Sequence, residues 1–111
     1  MSDAGPDARL GSGFAPDLLR GRTAVVTAAA GAIGGATAHL LATHGARVIA
    51  ADIHGERLQA VADGVAADGG TPVRTVVADL TTRAGVESVR AAAADLPVDI
   101  VVNALGEHLA T

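Results

Sequence analysis

Four short runs of branched apolar residues recur along the chain: TAVVT at Thr23–Thr27, RVIAA at Arg47–Ala51, VRTVVA at Val73–Ala78 and DIVVN at Asp99–Asn103. Each has the length and β-branched content of a buried strand. Between them lie alanine-rich stretches of about a dozen residues in which apolar positions return at helical spacing. The pattern predicts helices over Ala32–His44, Glu56–Ala67 and Arg83–Ala94. Gly45 stands at the C′ position of the first, Gly69-Gly70 stop the second, and Pro97 lies beyond the third. Thr81 or Thr82 is the expected N-cap of the third helix. Residues 1–20, broken by Gly5-Pro6, Gly11, Gly13 and Pro16, read as a flexible leader before the folded segment 21–111.

Strands alternating with helices imply right-handed βαβ units on a parallel sheet. Chain order gives four strands arranged 3-2-1-4, with the first two helices on one face and the third on the other. That order makes DIVVN an edge strand without lysine, proline or charge in Ile100–Val102, a surface open to self-association. Composition weakens the core further. Half of the chain is apolar, yet 26 of its 111 residues are alanine and Phe14 is its only aromatic residue. Alanine suits close helix-on-sheet packing but buries little area per residue.

Charge removes several function classes. The net charge is −4 and the eight cations, all arginines, are scattered, which argues against a nucleic-acid surface. Without cysteine there is no disulfide framework, zinc knuckle or thiol chemistry. No apolar run reaches the length of a membrane span, and the start of the chain lacks the pattern of a secretory signal, so a cytoplasmic location is expected.

Ligands of open parallel sheets bind outside the carboxyl ends of the strands. After the first strand comes Thr27-Ala28-Ala29-Ala30-Gly31-Ala32-Ile33-Gly34-Gly35, a bare turn leading into a helix. Such a turn lets backbone N–H groups approach a phosphate, although glycine also serves any tight βα turn. Asp52 follows the second strand, 21 residues beyond Gly31, where a carboxylate can accept hydrogen bonds from ribose hydroxyls or simply cap the next helix. Asp79-Leu80 follows the third strand and Asn103-Ala104-Leu105-Gly106 the fourth.

These four strand ends resemble the N-terminal half of the short-chain dehydrogenase/reductase family over Arg22–Gly106. TAAAGAIG is similar to that family's Thr-Gly-x-x-x-Gly-x-Gly loop, ADL to its Asp after the third strand, and DIVVNALG to its Asn-Asn-Ala-Gly segment. The resemblance implies a Rossmann-type sheet and a nicotinamide dinucleotide cofactor. It has Ala30, Gly31, Ile33 and Gly34 around the pyrophosphate, with Asp52 and Ile53 at the adenosine ribose. Asp79 and Leu80 would flank the adenine, while Asn103, Ala104 and Gly106 would lie near the nicotinamide ribose. Thr27 and Asn103 would tie the first and fourth strands together. Departures fall in the loop, where Ala28 and Ala32 replace glycines, and in the doublet, where Ala104 and Leu105 replace Asn and Ala.

The family's chemistry uses a Tyr-x-x-x-Lys pair with an upstream Ser, and this chain contains neither tyrosine nor lysine. No other constellation replaces them. His39 and His44 are expected to be exposed helix residues, His54 to decorate the turn after Asp52, and Glu107-His108 to stand where a substrate pocket would begin. A P-loop nucleotidase or receiver domain needs a lysine, and a methyltransferase usually has an acidic end to its first strand. Two functions remain. The chain is the cofactor-binding part of an oxidoreductase acting on a small alcohol or ketone, in a parent expected to be a homo-oligomer, or it is a non-catalytic dinucleotide-binding or interaction module. For the cofactor, NAD(H) is expected over NADP(H). A 2′-phosphate beside Asp52 would meet like charge, and Arg57 should lie a turn into the helix.

Overall fold

The computed structural model describes residues 17–104. Most of the expected leader, together with Leu105, Gly106, Glu107 and His108, lies outside the described residues. Within them the elements run β1 (Thr23–Thr27), α1 (Ala32–Thr43), β2 (Arg47–Asp52), α2 (Gly55–Ala67), β3 (Arg74–Val77), α3 (Arg83–Ala92) and β4 (Ile100–Asn103). All strand pairs are parallel and the sheet order is β3-β2-β1-β4. The alternating pattern and the 3-2-1-4 order expected from the sequence are what the fold contains.

Register fixes which side chains meet. Val26 lies opposite Ala50 and Val102, and Val25 opposite Ile49 and Val101, because neighbouring parallel strands keep paired residues on one face. On the first face Val26, Val48 and Ala50 pack with Ala38 and Ala42 of α1 and Leu58 and Val65 of α2. The second face is thinner. Right-handed crossovers put α3 there, against β2 and β3. Val25 and Ile49 are buried on it, but Val101 at the β4 edge is 68% exposed. The ten residues of α3 pack chiefly on β2 and β3, on the other side of the sheet from β4.

Element ends follow local chemistry. Gly45 stands in the left-handed region (φ +99°), and its N–H bonds Ala42 O (3.1 Å) while the Ala46 N–H bonds Leu41 O (3.0 Å). That pair of bonds is a Schellman stop, and Gly69 and Gly70 repeat it on Ala66 and Val65. Thr82 is the N-cap of α3, its hydroxyl accepting the Gly85 N–H (3.0 Å). Helix α3 ends at Ala92, two residues earlier than expected, where the Arg74 guanidinium of β3 donates to the freed Ala92 carbonyl. β3 is also shorter than its apolar run, although the Ala78 N–H still bonds Asp52 O (3.0 Å).

Candidate functional site

The strands being parallel, their four carboxyl ends fall on one edge of the sheet, with Thr27 paired to both Ala51 and Asn103, and Asp52 to Val77. A cleft of about 410 Å³ opens there, between the loops that leave β1, β2 and β3. Its wall includes Ala28 and Gly31 from the first loop, Asp52 to His54 from the second, and Ala78 to Thr81 from the third.

The first loop is drawn tight by its own backbone. Ala28 is the only non-glycine residue with positive φ among the described residues (φ 53°), and its carbonyl accepts the Gly31 N–H at 3.1 Å. The same carbonyl lies over Gly34, where a Cβ would sit 2.2 Å from the oxygen. Helix α1 therefore begins pressed against the turn. No side chain caps its N-terminus and no acidic residue occupies its first turn. Its leading N–H groups have no carbonyl a turn earlier to bond, and the dipole end they form is positive.

Asp52 links two loops. One carboxylate oxygen accepts the Ala30 N–H (3.0 Å) and the other the His54 N–H (2.9 Å), and the residue is only 8% exposed. Both oxygens thus serve the protein's own backbone, which the sequence does not reveal. A carboxylate has about four acceptor positions, so each oxygen keeps room for one further donor. Asp79 holds the third loop. Its Oδ1 accepts the Thr81 hydroxyl (2.6 Å) and the Thr81 N–H (3.0 Å). Those two bonds, the hydroxyl first, hold the Asp79 carboxyl below the usual carboxylate range.

Of the residues picked from the sequence, Gly31, Asp52, Ile53, Asp79 and Leu80 meet at the cleft. Ala30 stands beside it through its bond to Asp52, and Gly34 is buried beneath Ala28. Ile33 is 61% exposed on the first turn of α1, outside the cleft wall. Asn103 lies at the far side of β1, its Oδ1 accepting the Thr27 hydroxyl (2.9 Å), so the expected tie between β1 and β4 is present. Ala104 follows it, also away from the cleft. Gly106 lies outside the described residues.

Arg57, expected a turn into the helix, is the third residue of α2 and lines the cleft. One expectation needs correction. His44 is not an exposed helix residue. It is 8% exposed at the end of α1, with Nδ1 2.8 Å from Leu40 O. His39, by contrast, pairs across the helices with Asp68 at 2.7 Å. Thr81 was missed as a cleft residue, although a Thr two places after an Asp is a readable turn signal. Among the described residues no cluster of His, Asp or Glu could hold a metal ion, and no helix is long and apolar enough to cross a membrane.

The model of the short chain dehydrogenase family matches residues 22–110. The 1-deoxy-11-beta-hydroxypentalenate dehydrogenase of Streptomyces avermitilis is 42% identical over 90 residues, covering 79% of this chain and 33% of that protein. Among solved structures, glucose dehydrogenase of Caenorhabditis elegans in its apo form superposes with a TM-score of 0.74 at 34% identity, over 78% of this chain and 38% of that one. A 3-oxoacyl (acyl-carrier-protein) reductase from Agrobacterium tumefaciens C58 with NADP bound gives a TM-score of 0.66 at 40% identity, over 75% and 32%. The chain spans about a third of the length of the curated relatives it matches.

Proposed function

Because the chain belongs to the short chain dehydrogenase family, we propose that it forms the part of an oxidoreductase that holds a nicotinamide dinucleotide, NAD(H) in preference to NADP(H). The observation that carries this reading is the meeting of three strand-end loops around one cleft, with Asp52 at its centre. The residues fit such a group. An uncapped helix start suits a pyrophosphate, the cleft is of mononucleotide size, and the free acceptor positions of Asp52 suit a ribose diol. When bound, the cofactor supplies the hydride chemistry.

In this reading the turn at Ala30 and Gly31 and the α1 N-terminus beyond it, through Ile33 to Gly34, lie around the pyrophosphate. Asp52 orients the adenosine ribose, and Ile53 and Leu80 offer apolar surface to the adenine. Asp79 acts by shaping the third loop. Asn103, Ala104 and Gly106 would lie toward the nicotinamide end. The Ala28 methyl, set in a left-handed turn, narrows the approach to the phosphates, so affinity is lower than the Ala28→Gly variant would show. Small alcohols or ketones are the proposed substrates of the whole protein, with a homo-oligomer as its state.

The 111 residues hold neither the Tyr nor the Lys of the family's acid–base pair. The chain by itself is therefore proposed to bind cofactor without turning over substrate. The test is calorimetric titration with NAD⁺ and NADP⁺ alongside absorbance at 340 nm with a panel of alcohols and ketones. Binding without absorbance change is expected. Absence of binding by either cofactor would overturn the reading in favour of an interaction module, and sustained turnover would overturn the proposed lack of catalysis.

A further inference from the structure

We propose that the uncharged surface running from the outer flank of α1 to the free edge of β4 is an interface with a second copy of this chain, closed by antiparallel pairing of the two β4 strands about a two-fold axis at Val101. The inference stands apart from the cofactor reading and rests on how charge is distributed. Helix α2 carries Glu56, Arg57 and Asp63 and α3 carries Arg83, Glu87 and Arg90, whereas the twelve residues of α1 include no Asp, Glu, Lys or Arg. A helix without a charged face is ordinarily a covered one. The imidazole of α1, His39, is turned to Asp68 at the end of α2, and Gly35 also faces α2, where an added Cβ would meet Val61. Ile33, Thr37 and Leu40 stand on the opposite flank of the helix. Because α2 lies on the β3 side of α1, that flank looks toward β4. Ile33 is 61% and Leu40 51% exposed, and the Thr37 hydroxyl between them is already bonded to Ile33 O (2.8 Å).

The surface continues onto β4. That strand pairs with β1 on one side and, among the described residues, with nothing on the other. Ile100 and Val102 share the face that α1 covers, and Val101 lies on the opposite one, 68% exposed. A second copy turned by a two-fold axis suits this edge better than an open-ended stack. Parallel stacking would set β4 against the β3 edge of the next copy, where Arg74 stands in its pair with Asp95, and would repeat without closing. Antiparallel pairing centred on Val101 sets that residue against its own copy and Ile100 against the Val102 of the second copy. Asp99 then faces Asn103 instead of another carboxylate, and Asp99 is already held by the Thr23 N–H (2.9 Å) and Arg22 (3.6 Å). The seam is therefore neutral and lined by branched cross-strand pairs, which stabilise a sheet. Four residues of strand alone bury less than the roughly 1,200 Å² of a stable interface. The α1 flanks of both copies lie on one face on either side of the seam and extend the apolar surface removed from water.

The test uses the full 111-residue chain, which contains no cysteine. Sedimentation equilibrium from micromolar to millimolar concentration should show one monomer–dimer equilibrium. Under diamide, Val101→Cys should cross-link to a dimer at least about tenfold faster than Gly64→Cys on the exposed side of α2, because opposed residues of antiparallel strands bring their Cβ atoms near disulfide reach. Leu40→Glu should weaken dimerisation by about tenfold or more with the helix signal unchanged, since it sets an unpaired carboxylate beside the seam. A chain monomeric throughout, as one whose β4 edge is covered by its own further residues would be, overturns the proposal. Species larger than a dimer overturn the closed two-fold pairing. A dimer in which Val101→Cys links no faster than Gly64→Cys overturns the β4 seam, and one indifferent to Leu40→Glu overturns the part assigned to α1.

Discussion

Two glycines inside helices answer the same substitution with opposite signs. At Gly34 an added Cβ would lie 2.2 Å from Ala28 O, 2.8 Å from Ala28 C and 3.0 Å from the Ala29 Cα. Ordinary contact begins near 3.4 Å, so α1 would have to retreat from the β1 loop by about 1 Å. The obstacle is backbone, which has no rotamer to change. Overpacking of this kind costs about 1–3 kcal/mol, and the upper end applies where nothing flexible can give way. Alanine returns about 1 kcal/mol through helix propensity, leaving Gly34→Ala destabilising by about 2 kcal/mol. At Gly64 of α2 nothing lies within 4 Å of the added Cβ and the position is exposed. Gly64→Ala should therefore stabilise by about 0.5–1 kcal/mol. For a domain of this size 1 kcal/mol moves Tm by roughly 4–8 °C, so the two variants should melt well apart on opposite sides of the parent. Circular dichroism melts of the three proteins decide it. A Gly34→Ala protein as stable as the parent would mean that the turn does not press on α1 as described, and the account of the loop would fail.

Asp52→Ala removes two charge-assisted bonds to backbone N–H groups and should cost about 2–4 kcal/mol, while Asp52→Asn, which keeps one acceptor, should cost about half; urea denaturation reads both. Asp79 has a lowered pKa when folded, so it contributes stability above its unfolded pKa near 3.9, and that contribution is lost as pH falls through the folded value. Thr81→Val removes the larger cause, and an NMR titration should find the Asp79 carboxyl shifted upward, toward the ordinary range. Val101, 68% exposed on the β4 edge, should promote self-association, and Val101→Lys should lower the weight-average mass in sedimentation at matched concentration without loss of helix signal.

The order of elements was legible because each strand is a compact branched run and the first two helices stop at glycine. Sheet order followed from handedness and from short connections. The cleft was legible in part. Gly31, Asp52, Ile53, Asp79 and Leu80 all lie at the carboxyl end of a strand or within four residues of it, where position along the chain is nearly position in space. Arg57 was not legible. Whether a residue five places beyond a strand reaches a cleft depends on the path of the connecting turn, which the order of residues alone does not give. Burial of His44 was hidden for a like reason: it sits where α1 ends, and the Schellman turn that follows folds the chain back toward β2.

Ala28 joins these levels. A left-handed residue other than glycine costs about 1–2 kcal/mol, and the β1–α1 turn keeps one all the same. The conformation has a geometric return, because it aims the Ala28 carbonyl at the Gly31 N–H and across Gly34. That closes the turn and lets α1 begin against it, with Ala29 bonded to Ala51 O on the neighbouring strand. Ala28 as a whole is 4% exposed and forms part of the cleft wall. It therefore contributes apolar contact while occupying space that a ligand's phosphates would use. Glycine at this position would relieve the strain and widen the cleft, at the cost of the buried methyl and a freer unfolded chain, each worth about 1 kcal/mol. The stability terms nearly cancel. What the residue at position 28 governs is the room left above the turn, so in the proposed cofactor-binding reading its effect belongs to affinity rather than to folding.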